Sequence, residues 1–138
     1  MFEKKFEDRL LEWKQFREQL ETADNPLQSV VDFYNRAPLV AIQADPWDQS
    51  TWFDPWELLK ENVYCPFVKI LAICYTLQLT ERFSQCQFQI HITQDEESIR
   101  YLLTVDDACV GYDSKIVSFK NISQKLTVEK TYTMTSLK

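Results

Sequence analysis

The sequence holds one glycine, Gly111, and one histidine, His91, in 138 residues. A single glycine excludes a glycine-rich phosphate loop and a dinucleotide-binding turn, since both need several close glycines. It also hands left-handed backbone positions to Asn, Asp or Ser. One histidine and four cysteines (Cys65, Cys74, Cys86, Cys109), with no Cys-x-x-Cys pair, leave no zinc-ligand set. No apolar run reaches the roughly 20 residues that span a bilayer. No apolar leader precedes the cysteines, as the chain opens MFEKKFEDR, so reduced thiols in a cytoplasmic setting are expected. Positive charge is the scarcer sign, with 15 Lys and Arg against 21 Asp and Glu and a net charge of −6. That balance disfavours gripping nucleic acid, where basic residues must replace condensed counterions. The acidic clusters Asp45/Asp48, Asp95-Glu96-Glu97 and Asp106-Asp107 lack calcium-loop spacing. No cofactor, metal or membrane partner is expected.

Aromatic residues are what the chain has in plenty, at 14%. Three of the four tryptophans, Trp47, Trp52 and Trp56, fall within ten residues inside DPWDQSTWFDPWELLKENVYC, residues 45–65. For any one such tryptophan, burial in the core is the commoner use. The sharper reading is presentation to a partner, because Trp is enriched at interface hot spots. The loop over 37–53 carries Leu39, Val40, Ile42, Trp47, Trp52 and Phe53, too apolar for a solvated linker and long enough to need a role.

The length suits one domain. Phe2, Phe6, Leu10, Trp13, Phe16 and Leu20 recur at helical spacing, which predicts an amphipathic helix over about residues 2–22. Its stripe packs on its own domain in preference to a neighbour, since large stripes are seldom exposed in monomers. Asn25-Pro26 starts a second helix, to about Arg36, so residues 1–36 form a helical hairpin. Residues 37–65 are the Trp/Pro-rich segment, within which Asp54, Pro55 and Glu57 start a short helix ending near Asn62. Cys65-Pro66 opens a helix over 66–83 that is apolar almost all round, hence central and buried.

From residue 86 to 134 the apolar period becomes two and the links short, which predicts an antiparallel β-meander. Strands are expected at Gln87–Thr93, Ile99–Val105, Ala108–Tyr112, Lys115–Phe119 and Leu126–Met134, with Lys130 near an edge. Helices followed by strands read as α+β, with N-terminal helices and a buried central helix packed on a mainly antiparallel sheet of about five strands.

Cys65, His91 and Asp106 occur in the order of a thiol at a helix start, a histidine on a strand and an aspartate after the next strand. A helix N-terminus lowers a thiol pKa, an imidazole can take its proton, and a carboxylate can orient the ring. In this order and setting, residues 63–113 resemble the transglutaminase-like and papain-like cysteine enzymes, which implies acyl transfer by that triad. The alternation opposes it. Phe88, Ile90 and Ile92 take the face that meets the helix, turning His91 outward to water with Gln87 and Gln89. Pro66 also removes a backbone N–H that could hold an oxyanion.

A second resemblance covers residues 25–113. Asp45-Pro46-Trp47-Asp48, Thr51-Trp52, Pro55-Trp56-Glu57-Leu58, CYTLQLTERF and YLLTVDDACVGYD are similar to small proteins of tailed bacteriophages, particularly those infecting cyanobacteria. The resemblance implies a virion component of the neck, tail or baseplate, located in the particle or the infected host's cytoplasm. Its partners would be other virion proteins or further copies of itself in a ring, with Trp13, Phe16, Trp47 and Trp52 as the expected interface residues. Two other classes stay open. One is the cysteine acyl-transfer enzyme using Cys65, His91 and Asp106, and the other a regulatory protein that binds a host protein.

Overall fold

The computed structural model describes residues 1–40, 44–96, 98–113 and 115–137. Ile42 of the loop and Glu97 of the acidic turn lie outside the described residues. Four helices lead and an antiparallel sheet follows, the α+β arrangement expected. The first helix, α1, spans Phe6–Leu20, and α2 spans Pro26–Tyr34. They pack through the expected stripe, with Phe16 stacked on Phe33 at 4.0 Å between ring centroids.

Helix α3, Pro55–Glu61, is built as its sequence dictates. Asp54 accepts from the Glu57 backbone N–H at 2.8 Å, and Glu57 accepts from the Asp54 N–H at 3.2 Å. This reciprocal cap satisfies two of the free donors at the helix start. Asn62 ends the helix in the left-handed region at φ 53°, and Asp106 takes a second such position at φ 52°. Asn and Asp thus stand where a glycine-richer chain would place glycine.

The central helix α4 spans Pro66–Gln78 and so is shorter than its apolar run. The Glu21 carboxylate accepts from the N–H groups of Glu81 and Arg82 at 2.8 and 2.9 Å. Arg82 in return donates to the carbonyls of Leu20 and Ala23, at the end of α1. A long-range carboxylate therefore holds the amides beyond the end of α4, and no local spacing announces it.

Thr76 of α4 is a knot between three helices. Its hydroxyl donates to the Ala72 carbonyl at 2.7 Å and accepts from Trp13 Nε1 at 3.0 Å and the Tyr34 hydroxyl at 2.9 Å. Burial pushes the Tyr34 phenol up to about 12, against the smaller opposing effect of the Thr76 bond.

The sheet comprises β1 (Phe88–Gln94), β2 (Ile99–Val105), β3 (Ala108–Val110), β4 (Val117–Ser118) and β5 (Thr127–Met134). Its spatial order is β4-β3-β2-β1-β5. The first four strands form the expected meander. The fifth returns across the sheet to pair with β1, which corrects the reading of one continuous meander. Helix α5, Phe119–Ile122, and a 3₁₀ turn, Ser123–Lys125, carry that return where a strand end and a plain turn were expected.

A bulge sits in β5 opposite Ile92 and Thr93. Ile92 faces Lys130 while Thr93 faces Val128, so Glu129 is the extra residue and the alternation of β5 changes sides there. This places Lys130 on the same face as Ile90 and Ile92, at the sheet's edge.

The face carrying Phe88, Ile90, Leu103, Val105 and Val110 meets α4 and forms the main core. The other face carries His91, Leu102, Thr104 and Cys109 and is covered by Phe119, Ile122 and Leu126 in a second, smaller core. The sheet is therefore covered on both sides, where a half-buried sheet had been expected.

Candidate functional site

The structure separates the three residues of the cysteine-enzyme reading. Cys65 precedes α4 on the main-core side, buried, and its side chain makes no cap hydrogen bond. His91 lies on the opposite face of β1, in register with Leu102. Asp106 caps the β2–β3 turn, where its carboxylate accepts from the Gln87 N–H at 2.9 Å. A thiol and an imidazole on opposite faces of a sheet cannot exchange a proton directly.

His91 also corrects the expectation that it points to water, being only 4% exposed. Its ring nitrogens bond Thr131 Oγ1 at 2.9 Å and Thr104 Oγ1 at 3.0 Å, and its ring stacks on Phe119 at 4.9 Å. Thr104 donates its own proton to the Gln89 carbonyl at 3.5 Å. That leaves the Thr104 oxygen to accept from Nε2–H, while Thr131 donates to Nδ1. Burial holds the imidazole below its ordinary pKa. It is a satisfied core histidine.

The four expected interface residues divide. Trp13, at 2% exposure, lies inside the helical layer against Trp56 and Thr76, which corrects its assignment to an outer surface. Phe16 is engaged by Phe33 within the hairpin. Trp52 is half-buried, its ring between Phe67 at 4.9 Å and Tyr132 at 4.7 Å. Trp47 alone of the four is largely exposed, at 53%.

The loop that carries Trp47 is held by its own side chains. Asp45 accepts from the Trp47 N–H at 2.9 Å, and Asp48 accepts from the Ser50 N–H and hydroxyl at 3.1 and 2.6 Å. The Thr51 hydroxyl accepts from the Asp45 N–H, and Trp52 Nε1 donates to the Asp45 carbonyl, each at 2.9 Å. Trp52 therefore anchors the loop to α4 and β5, and the Asx turns at Asp45 and Asp48 fix the backbone beside the Trp47 indole. The exposed ring is displayed by an ordered mount, which lowers the entropy lost on contact.

An open groove of about 540 Å³ lies between α2, α4 and the start of β2. Leu39, Pro66, Lys69, Ile73, Ile99 and Tyr101 are among its lining residues, and Leu39 and Ile99 are exposed. Its size falls within the range of about 300–1,000 Å³ usual for ligand pockets. Gly111 at φ 103° lines it too, and a Cβ there would meet Ile70 Cδ1 at 2.8 Å and the Tyr101 carbonyl at 2.9 Å. The close approach at this wall therefore needs the one glycine of the chain.

Lys69 is the groove residue that sequence reasoning missed. Its ammonium donates to the neutral Asn35 side-chain oxygen at 3.3 Å, and burial lowers its pKa. No carboxylate among the described residues pairs with it. Trp56, at 54% exposure, was also passed over as a surface residue.

Among the described residues no three His, Cys, Asp or Glu converge as a metal site requires, and no helix is long and apolar enough to cross a membrane. No protein-family model, no curated protein and no solved structure matches the chain.

Proposed function

We propose that this chain acts through protein–protein contacts, without catalytic residues or a cofactor, as a structural component of a tailed-phage particle. The observation that carries the contact role is the exposed Trp47 indole on its hydrogen-bonded mount. Such rings dominate binding energy when a partner desolvates them. The placement of Cys65 and His91 on opposite faces of the sheet, with Asp106 bonded to the Gln87 N–H, supports this reading over the enzyme one. The placement in a neck, tail or baseplate rests on the resemblance of the 45–65 segment and its flanks to phage proteins.

The test is mass spectrometry of purified particles from the phage that encodes the chain. The chain is expected in fixed copy number, and Trp47→Ala is expected to reduce its incorporation. A chain abundant in infected cells but missing from particles would overturn the virion assignment.

A further inference from the structure

Two surface features lack a complementary partner among the described residues. One is a knob: Trp47, flanked by Asp45 and Asp48. The other is the groove, where the Lys69 ammonium donates to the neutral Asn35 and forms no ion pair with a carboxylate among the described residues. Each is what the other lacks. The knob offers an indole and two carboxylates, and the groove offers a largely apolar trough with the cation of Lys69, although Arg100, bridged to Asp95, and Asp113 line it as well. The knob does not fill its own groove, because the Trp47 ring remains exposed while the anchored Trp52 holds the loop elsewhere.

We propose that the occupant of the groove is the Trp47 loop of a second copy of this chain, with its carboxylates set against Lys69. This deepens the contact role proposed above and rests on it. Knob and groove lie close together on one side of the molecule. The chain leaves the groove at Leu39 and enters the knob at Asp45, and Trp52, which anchors the knob, packs on Phe67, which packs in turn on the groove residue Tyr101 at 5.4 Å. Two copies related by a two-fold axis therefore exchange loops reciprocally, and the contact closes as a dimer. Burying an aromatic side chain removes about 150–250 Å² from water. Two exchanged indoles with the exposed Leu39 and Ile99 give a small interface, so its dissociation constant is on the order of 10–100 μM.

The experiment is analytical ultracentrifugation of the full chain from about 1 to 500 μM, concentrations bracketing that affinity. The wild type is expected to pass from monomer to dimer, and more weakly in high salt. Trp47→Ala and Lys69→Glu are each expected to reduce the association constant about tenfold or more. Ile99→Ser is a second groove variant, should Lys69→Glu disturb folding; far-UV circular dichroism and thermal melts verify that each is intact. The mixture is decisive. Trp47→Ala keeps a groove and Lys69→Glu keeps a knob, so equal parts are expected to associate more strongly than either alone. A monomeric wild type throughout the range would overturn self-docking, as would a dimer indifferent to Trp47→Ala, or a mixture no stronger than its parts. A monomeric chain that is still found in particles would leave the contact role standing and remove only the self-partner.

Discussion

The two faces of the sheet are buried by different means. The face toward α4 is apolar across Phe88, Ile90, Leu103, Val105 and Val110, and it is continuous with a core running through the helical layers. The opposite face carries His91, Thr93 and Thr104, all buried, and a small apolar cluster of Leu102, Cys109 and Ile122. Its polar groups are satisfied within the fold. His91 is bonded by two threonines, and Thr93 donates to the Arg100 carbonyl at 3.0 Å. The lesson is that an alternating polar face need not face water. A row of side chains that satisfy one another can be roofed at little desolvation cost.

The covers differ too. The helix α4 is 13 residues long and packed on several sides, whereas the roof over His91 is a four-residue helix and a three-residue 3₁₀ turn. Such a short element has few intrahelical bonds and depends on its apolar anchors. Local opening is therefore expected first at the roof.

The largest test of this contrast is a pair of truncations. Ile90→Ala opens a cavity in the main core and is expected to cost about 4 kcal/mol, while Ile122→Ala under the short roof costs about 2, because that site can collapse. Urea unfolding measures both. Equal costs would mean that the roof is as firmly built as α4. Hydrogen exchange sharpens the point, since amides of residues 119–125 are expected to exchange before those of β1 and β2.

A middle-sized effect concerns the polar knot at Thr76 in the helical layers. Thr76→Val keeps the shape but leaves Trp13 Nε1 and the Tyr34 hydroxyl buried without their acceptor. The expected loss is about 3 kcal/mol, with Thr76→Ser recovering much of it. A loss below about 1 kcal/mol would show that neither donor depends on that hydroxyl.

A smaller effect belongs to His91. Its imidazole is held below the ordinary 6.5 by burial, so the unfolded chain takes up a proton that the folded chain resists. Stability on this account is whole above about pH 6.5 and falls as pH drops from there toward the lowered folded-state value. His91→Gln retains hydrogen-bonding capacity and is expected to flatten that fall. An unchanged slope between pH 7 and 5 would place the titration elsewhere.

The smallest expected effect lies outside both faces. Trp47→Ala should change stability by less than about 0.5 kcal/mol, as an exposed ring contributes little to the core. A loss of several kcal/mol would identify the ring as part of the fold.

Much of the architecture was legible from local pattern. The α3 boundaries followed from Asp54, Pro55, Glu57 and Asn62, since capping is a matter of residues within one turn. Strand β2 ran from Ile99 to Val105 as its neighbouring turns require. The scarcity of glycine implied that Asn, Asp or Ser would take left-handed places, and the structure puts Asn62 and Asp106 there. His91 was misread because period two assigns a side chain to a face and says nothing of what covers that face. The early end of α4 was missed because Glu21, some sixty residues upstream, holds the amides past its end.

The candidate surface was legible in part. The 45–65 stretch named the loop, but its tryptophans look alike in sequence. Tertiary contacts turned Trp52 inward between Phe67 and Tyr132 and left Trp47 out. The groove had no sequence signature, because its walls come from segments far apart in the chain.

Local chemistry within a turn or a strand period was enough to determine the starts of α2, α3 and α4, the places of β1 and β2 and the α+β order, while α1 starts at Phe6 and β3 and β4 are shorter than expected. Only the tertiary structure decided which face of the sheet is roofed, which tryptophans are shown and, among the described residues, that Lys69 forms no ion pair with a carboxylate. Those outcomes depend on what packs across from a residue, and short-range preferences along the chain do not encode that distance.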